Sequence, residues 1–135
     1  MPYSSSRSIP FEIPNVTHGL HLAKGLLKVK KEGIELEYEI QDAFFGITTT
    51  GVQTVLLSYE KIQEISFKRG WFSAKIIIEA NSMKDVKEIP QAEHASVTLK
   101  IKRKHRDEAE NIISTARVKL SEQKLDRLNE DNADY

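Results

Sequence analysis

The feature that most constrains this chain is a two-residue alternation on both sides of one glycine. Ile34, Leu36, Tyr38 and Ile40 alternate with Glu35, Glu37, Glu39 and Gln41, and ahead of the glycine Leu27 and Val29 alternate with Lys28 and Lys30. Successive side chains on a strand point to opposite faces, so each stretch reads as a strand with one apolar and one wet face. Glu32 and Gly33 lie between them, and glycine tolerates the positive φ that a tight hairpin turn requires. With Glu32 and Gly33 as a two-residue loop, Lys31 faces Ile34, Lys30 faces Glu35, Val29 faces Leu36, Lys28 faces Glu37 and Leu27 faces Tyr38. Apolar meets apolar on one face and lysine meets glutamate on the other, at about 0.2–1 kcal/mol for each such pair. A one-residue slip would destroy both patterns.

The same logic predicts a second hairpin. Ile65 to Lys68 leads through Arg69 and Gly70 to Trp71 and onward to Ile76, so that Phe67 faces Phe72, Ile65 faces Ala74 and Glu64 faces Lys75. Val52 to Leu57 reads as a short strand before it, and Val97, Leu99 and Ile101 alternate with Thr98, Lys100 and Lys102 in the last strand. Residues 81–95 carry Met83, Val86 and Ile89 ahead of Pro90, which suits a short helical turn or an irregular crossing. A helix is expected from near Asp107, where Asp107 and Glu110 have the spacing of a capping box. Ala109, Ile112, Ile113, Ala116 and Leu120 share its inner face, with Val118 and Leu125 on the other.

Residues 1–17 hold three of the four prolines, so they read as an extended arm, and Ile9, Phe11, Ile13 and Val16 give that arm apolar groups to lay across a barrel. Strands joined by two-residue turns must be antiparallel. A short sheet with a wet face must also close or cover its edges. The expected fold is therefore mainly β: an antiparallel barrel or sandwich of about seven strands over residues 18–128, capped by one C-terminal α-helix, with a frayed tail at 129–135.

Composition narrows function by exclusion. The 135 residues suit one domain, and 20 basic against 20 acidic residues give a net charge of zero, which argues against a dedicated nucleic-acid binder. Cysteine is absent, no apolar run approaches the roughly 18–20 residues of a membrane span, and the first residues lack the apolar stretch of a secretory signal; a cytoplasmic setting is expected. No phosphate-binding glycine loop or nucleophile motif occurs. His18 and His21 would point to opposite faces of a strand, so they do not suggest a metal pair. No catalytic residue, metal, cofactor or small-molecule substrate is expected.

The stretches GLLKVKKEGIELEYEI, FFGITTTGVQTVLLSYEKIQEISFKRGWFSAKIIIEA and VTLKIKRKHRDEAENIISTA resemble the bacterial pleckstrin-homology-like (PH-like) domains over roughly residues 20–120. The likeness lies in the order of weak features: Phe45 with Gly46, Leu57 followed by Glu60 and Ile62, Gly70 with Trp71 and Phe72, then a closing helix. It implies a seven-stranded, two-sheet barrel capped by a helix, and no catalysis. Phosphoinositide-binding relatives place cations around the first hairpin; Lys28, Lys30 and Lys31 stand there, but Glu35, Glu37 and Glu39 follow in place of the expected arginine.

Two kinds of surface stand out. Trp71, the only tryptophan, sits at a hairpin tip beside Lys68 and Arg69, a setting suited to a membrane interface or a protein contact; the alternative is that it folds back under a stacked Arg69. Phe44 and Phe45 are adjacent, so in a strand one of them must face away from the core. With Val118 and Leu125 these residues make a candidate contact surface for an unidentified protein or a second copy of the chain. Lys100 and Lys102 share a strand face within a cationic run extending to Arg106; this is either an anionic-surface patch or simply a solvated strand face. The expected role is a non-enzymatic interaction module for protein contact or homo-oligomerisation, with peripheral binding to anionic membrane lipids as the alternative.

Overall fold

The computed structural model describes residues 8–133. Its strands are β1 (Ser8–Val16), β2 (His21–Val29), β3 (Gly33–Asp42), β4 (Gln53–Ser58), β5 (Ile62–Arg69), β6 (Ser73–Ala80) and β7 (Ser96–Lys102), followed by one helix, α1 (Arg106–Ala133). The seven strands form one antiparallel sheet in the order β4-β3-β2-β1-β7-β6-β5. This is the mainly-β architecture of a PH-like sandwich with a C-terminal helix. The crossing between β6 and β7 contains a single 3-10 turn, Met83–Asp85, and buries Val86 and Ile89.

The expected arm is corrected for its described part. Residues 8–16 are β1, in the middle of the sheet between β2 and β7, so this part of the expected arm is a strand of the domain. Pro10 and Pro14 lack donors, yet Ile9, Phe11 and Ile13 alternate inward and are buried, and that burial stabilises the strand. Residues 1–7 of the arm lie outside the described residues. At the other terminus the helix continues to Ala133, past the point where fraying was expected.

Both hairpin registers differ from expectation by an even number of residues. In the first, Val29 pairs with Ile34, Lys28 with Glu35 and Leu27 with Leu36, and the Lys30 N–H donates to the Gly33 carbonyl at 2.8 Å, so Lys31 and Glu32 form the tip. An even shift leaves every side chain on its original face, so alternation alone does not distinguish the two registers. The backbone of β4 decides it. Gly33 is the first residue of β3, opposite Ser58, and a Cβ there would lie 2.1 Å from the Leu57 carbonyl oxygen. The glycine serves close strand approach; its φ is not positive. The expected ion pairs survive as diagonals, Lys28 with Glu37 at 2.9 Å and Lys30 with Glu35 at 3.8 Å.

In the second hairpin the shift is four residues. Arg69 pairs with Ala74, Phe67 with Ile76 and Ile65 with Ile78, while the Gly70 N–H donates to the Ser73 carbonyl at 2.9 Å. Trp71 and Phe72 are therefore the tip. The expected register would have set Ile76 against Gln63 and Ile78 against Lys61; the observed one gives both isoleucines apolar partners. Its charged pairs are alike, Lys68 with Lys75 and Glu64 with Glu79, so burial outweighed the salt bridge from which the register had been inferred.

The core is filled from all seven strands, β4 contributing Leu57, and from Ala109, Ile112, Ile113, Ala116 and Leu120 of the helix. Two tyrosines tie strands to loops through polar tips. The Tyr38 hydroxyl donates to the Glu88 carbonyl at 2.9 Å, and the Tyr59 hydroxyl donates to the Lys30 carbonyl at 2.9 Å. Burial, helped by the nearby Glu32 charge, pushes the Tyr59 phenol up to about 12.

Candidate functional site: an aromatic tip on a row of lysines

The β5–β6 hairpin carries Trp71 and Phe72 out of the fold, 72% and 80% exposed. The tip is bound to the start of α1 from both sides. Arg69 donates from Nη2 to Asp107 Oδ1 at 2.7 Å and from Nη1 to Glu110 Oε1 at 3.2 Å. Arg106 Nη1 donates to the Gly70 carbonyl at 2.6 Å. The Arg69 guanidinium holds the Asp107 carboxyl below its ordinary range. One expectation and one alternative are corrected here. Asp107 and Glu110 lie inside the helix and bind Arg69 instead of forming a capping box. The cation over the Trp71 ring is Arg103, 5.4 Å from its centroid, and not Arg69.

Behind the tip the register builds a row of like charges on the outer face. Lys68 lies opposite Lys75, and Lys75 opposite Lys100. Neighbouring strands are about 4.8 Å apart, and like charges directly opposite are destabilising. Among the described residues no ion pair within 4.0 Å involves Lys68, Lys75 or Lys100, but the row of cations ends at Lys100, which lies opposite Glu12 of β1. Lys102 extends the patch opposite Ser73, and its Nζ is 3.7 Å from Glu12 Oε2, which also lies 4.0 Å from Lys24 Nζ. Lys68 and Lys75 line one shallow groove with Trp71 and Phe72; Lys100, Lys102 and Lys104 line another beside it.

Charge is graded along this face. The next cross-strand row is Ser66, Ile77 and Thr98, and the one beyond is Glu64, Glu79 and Ser96. On this face of a chain of zero net charge the cations thus gather toward the tip end. The lysines of the first hairpin contribute less, because Lys28 and Lys30 face glutamates.

Phe44 and Phe45 lie elsewhere. They follow the Asp42 end of β3, which β2, β1 and β7 separate from the β5–β6 hairpin in the sheet order. Asp42 builds their turn: its Oδ2 accepts from the Phe45 N–H at 2.7 Å and the Phe44 N–H at 3.1 Å, and its Oδ1 from the Ile47 N–H at 2.8 Å. Backbone donors, Phe45 first and Ile47 second, hold the Asp42 carboxyl below its ordinary range. Because the chain turns here, strand alternation stops, and Phe44 and Phe45 are both outside, 73% and 83% exposed. Ile47 and Leu20 are exposed beside them, with the Ala43 N–H donating to the Leu20 carbonyl at 2.9 Å.

Val118 and Leu125 are exposed on the outer side of α1. The sequence-derived candidates therefore occupy separate surfaces: Lys68, Trp71, Lys100 and Lys102 come together, Arg69 anchors the tip they surround, and Phe44 with Phe45, and Val118 with Leu125, stand apart. Phe72 and Lys75 belong to the lysine site and were not among the sequence-derived candidates; Arg103 belongs to it too, and it stood in the cationic run that extends to Arg106. The correct hairpin register was the missing signal for Phe72 and Lys75; for Arg103 only its place over the Trp71 ring was not foreseen.

Among the described residues no three His, Cys, Asp or Glu side chains are grouped to hold a metal, and no helix is long and apolar enough to cross a membrane. No family model, curated protein or solved structure matches the chain. The fold and the site define a class by themselves: a PH-like β-sandwich that displays an aromatic hairpin tip on a cationic strand face.

Proposed function

We propose that this protein is a non-enzymatic docking module whose tip engages anionic membrane surfaces. The observation that carries the reading is the row Lys68, Lys75 and Lys100 set directly behind the exposed Trp71 and Phe72. Aromatic rings favour the headgroup layer, where one part of the ring is apolar and the rest is wet. Lysines near an anionic leaflet each contribute about 1 kcal/mol, so the four lysines of the patch supply about 4 kcal/mol, close to a thousandfold in affinity. An anion at the row also relieves the repulsion that the register imposes. The resemblance to the bacterial PH-like domains, which implies no catalysis, agrees with this reading. A cytoplasmic protein meets the anionic inner leaflet, the setting we assign to it.

Co-sedimentation with vesicles tests the proposal. Binding to phosphatidylserine-containing vesicles at low salt, lost at high salt and absent with neutral vesicles, is expected. Equal behaviour with neutral and anionic vesicles would overturn it.

A second reading, contact with another protein, is favoured by the opposite end. Phe44, Phe45, Ile47 and Leu20 form an exposed apolar group without a lysine row, beside Asp42 and Glu39. That chemistry suits an apolar protein surface better than an anionic bilayer. Replacing Phe44 and Phe45 with serine is expected to leave vesicle binding intact; loss of vesicle binding would refute this division of roles.

A further inference from the structure

The two edges of the sheet are treated differently. At one edge, β5 is covered by α1, and Lys124 Nζ donates to the Gln63 carbonyl at 2.6 Å. That strand also carries Glu64, Lys68 and Arg69. At the other edge, β4 reads QTVLLS, six residues with no charge and no proline, and among the described residues no strand pairs with its outer side. An edge strand offers a row of unpaired backbone N–H and C=O groups, and charges, prolines or a covering element normally keep such a strand from pairing with other chains. Here one edge is guarded and the other is not.

We infer that β4 pairs antiparallel with β4 of a second copy of this chain across a two-fold axis. The charges around β4 favour this occupant. The strand itself is uncharged, and the glutamates of β3 that flank it are matched within the chain, Glu37 by Lys28 at 2.9 Å and Glu35 by Lys30 at 3.8 Å. Two copies therefore meet without repulsion, and no complementary charge is required of a partner. The self-pairing also closes. It covers both open edges and leaves outside only the two guarded β5 edges, so growth stops at a dimer.

A two-fold axis normal to the sheet keeps faces matched, so only positions of equal parity oppose each other. Leu56 points outward and is 49% exposed, while Leu57 is buried. Centring the axis at Leu56 sets the two Leu56 side chains together on the outer face and Val55 opposite Leu57 on the inner one. The inference is independent of the docking proposal, because the tip belongs to β5 and β6, at the other edge of the sheet.

The full chain lacks cysteine, which makes the test clean. Leu56→Cys is expected to yield a disulfide-linked dimer on mild oxidation, since opposed strand residues bring their Cβ atoms to about 4.5–5.5 Å, near disulfide reach. Thr54→Cys, displaced along the strand from its counterpart, is expected to yield little. By light scattering the wild type is expected to show a concentration-dependent dimer, and Leu56→Lys to weaken it at least tenfold with the circular dichroism spectrum and vesicle binding unchanged. A wild type monomeric at all concentrations, a dimer indifferent to Leu56→Lys, equal cross-linking at positions 54 and 56, or a dimer lost instead on replacing Phe44 and Phe45 would overturn the inference.

Discussion

The hairpin tip and the Asp42 loop each push two adjacent aromatic residues into solvent, yet they are built from opposite materials. At the tip, cations surround Trp71 and Phe72: the row Lys68, Lys75 and Lys100 behind, Arg103 over the indole, and Arg69 and Arg106 binding the turn to α1. In the loop, a carboxylate gathers three backbone donors, and Phe44 and Phe45 project from the turn it makes, with Glu39 nearby binding Thr48. The fractional exposure of the two aromatic pairs is similar. What differs is the field around them, and that field determines which partner each end suits. An exposed aromatic pair is a weak functional signal until the charges beside it are known.

The comparison is sharpest when charge is reversed. Lys75→Glu with Lys100→Glu is expected to lower affinity for anionic vesicles by about a thousandfold, since each change removes an attraction and adds a repulsion of about 1 kcal/mol. Vesicle sedimentation at low salt measures it, and an effect under tenfold would separate the lysine row from binding. Trp71→Ala and Phe72→Ala follow, at about three- to tenfold each, because a partly inserted ring gains roughly half of the 1.5–3 kcal/mol available to a fully buried one. Phe44→Ala with Phe45→Ala should leave the same titration within twofold; a comparable loss would erase the distinction between the ends.

Smaller effects concern how each end is held. Asp42→Ala is expected to speed amide exchange at Phe44, Phe45 and Ile47 without altering vesicle binding. The Asp42 carboxyl is held below its ordinary value of 3.8, so its contribution is present above that pH and is lost as pH falls through the lowered value. Exchange protection of those amides should decline only in acid; a decline near neutrality would contradict the assignment. Arg69→Gln, the mildest change, frees the tip from Asp107 and Glu110 and is expected to lower the fluorescence anisotropy of Trp71 while Arg106 still holds the turn.

Much of the fold was legible from alternation and helical spacing. Leu27, Leu36 and Tyr38, the inward positions of β7 and the inner face of α1 all lie where the pattern put them. Register was not legible, because shifts of two or four residues preserve every face; the β4 backbone against Gly33 and the apolar partners of Ile76 and Ile78 decided it. The site inherited that error. With Glu64 set against Lys75, the sequence read a neutral strand pair where the structure has a lysine row, and it placed Phe72 inside the ladder instead of at the tip. β1 was hidden for a different reason: its prolines suggested an arm, and only the buried Ile9, Phe11 and Ile13 outweigh them.

Trp71 is the only tryptophan, so its emission reports the tip alone. Titrating the wild-type protein with phosphatidylserine-containing vesicles at low salt should shift that emission to shorter wavelength, and added salt should reverse the shift. Emission that stays at its solvent-exposed position while the vesicles are saturating would contradict the claim that the lysine-backed tip is the docking surface.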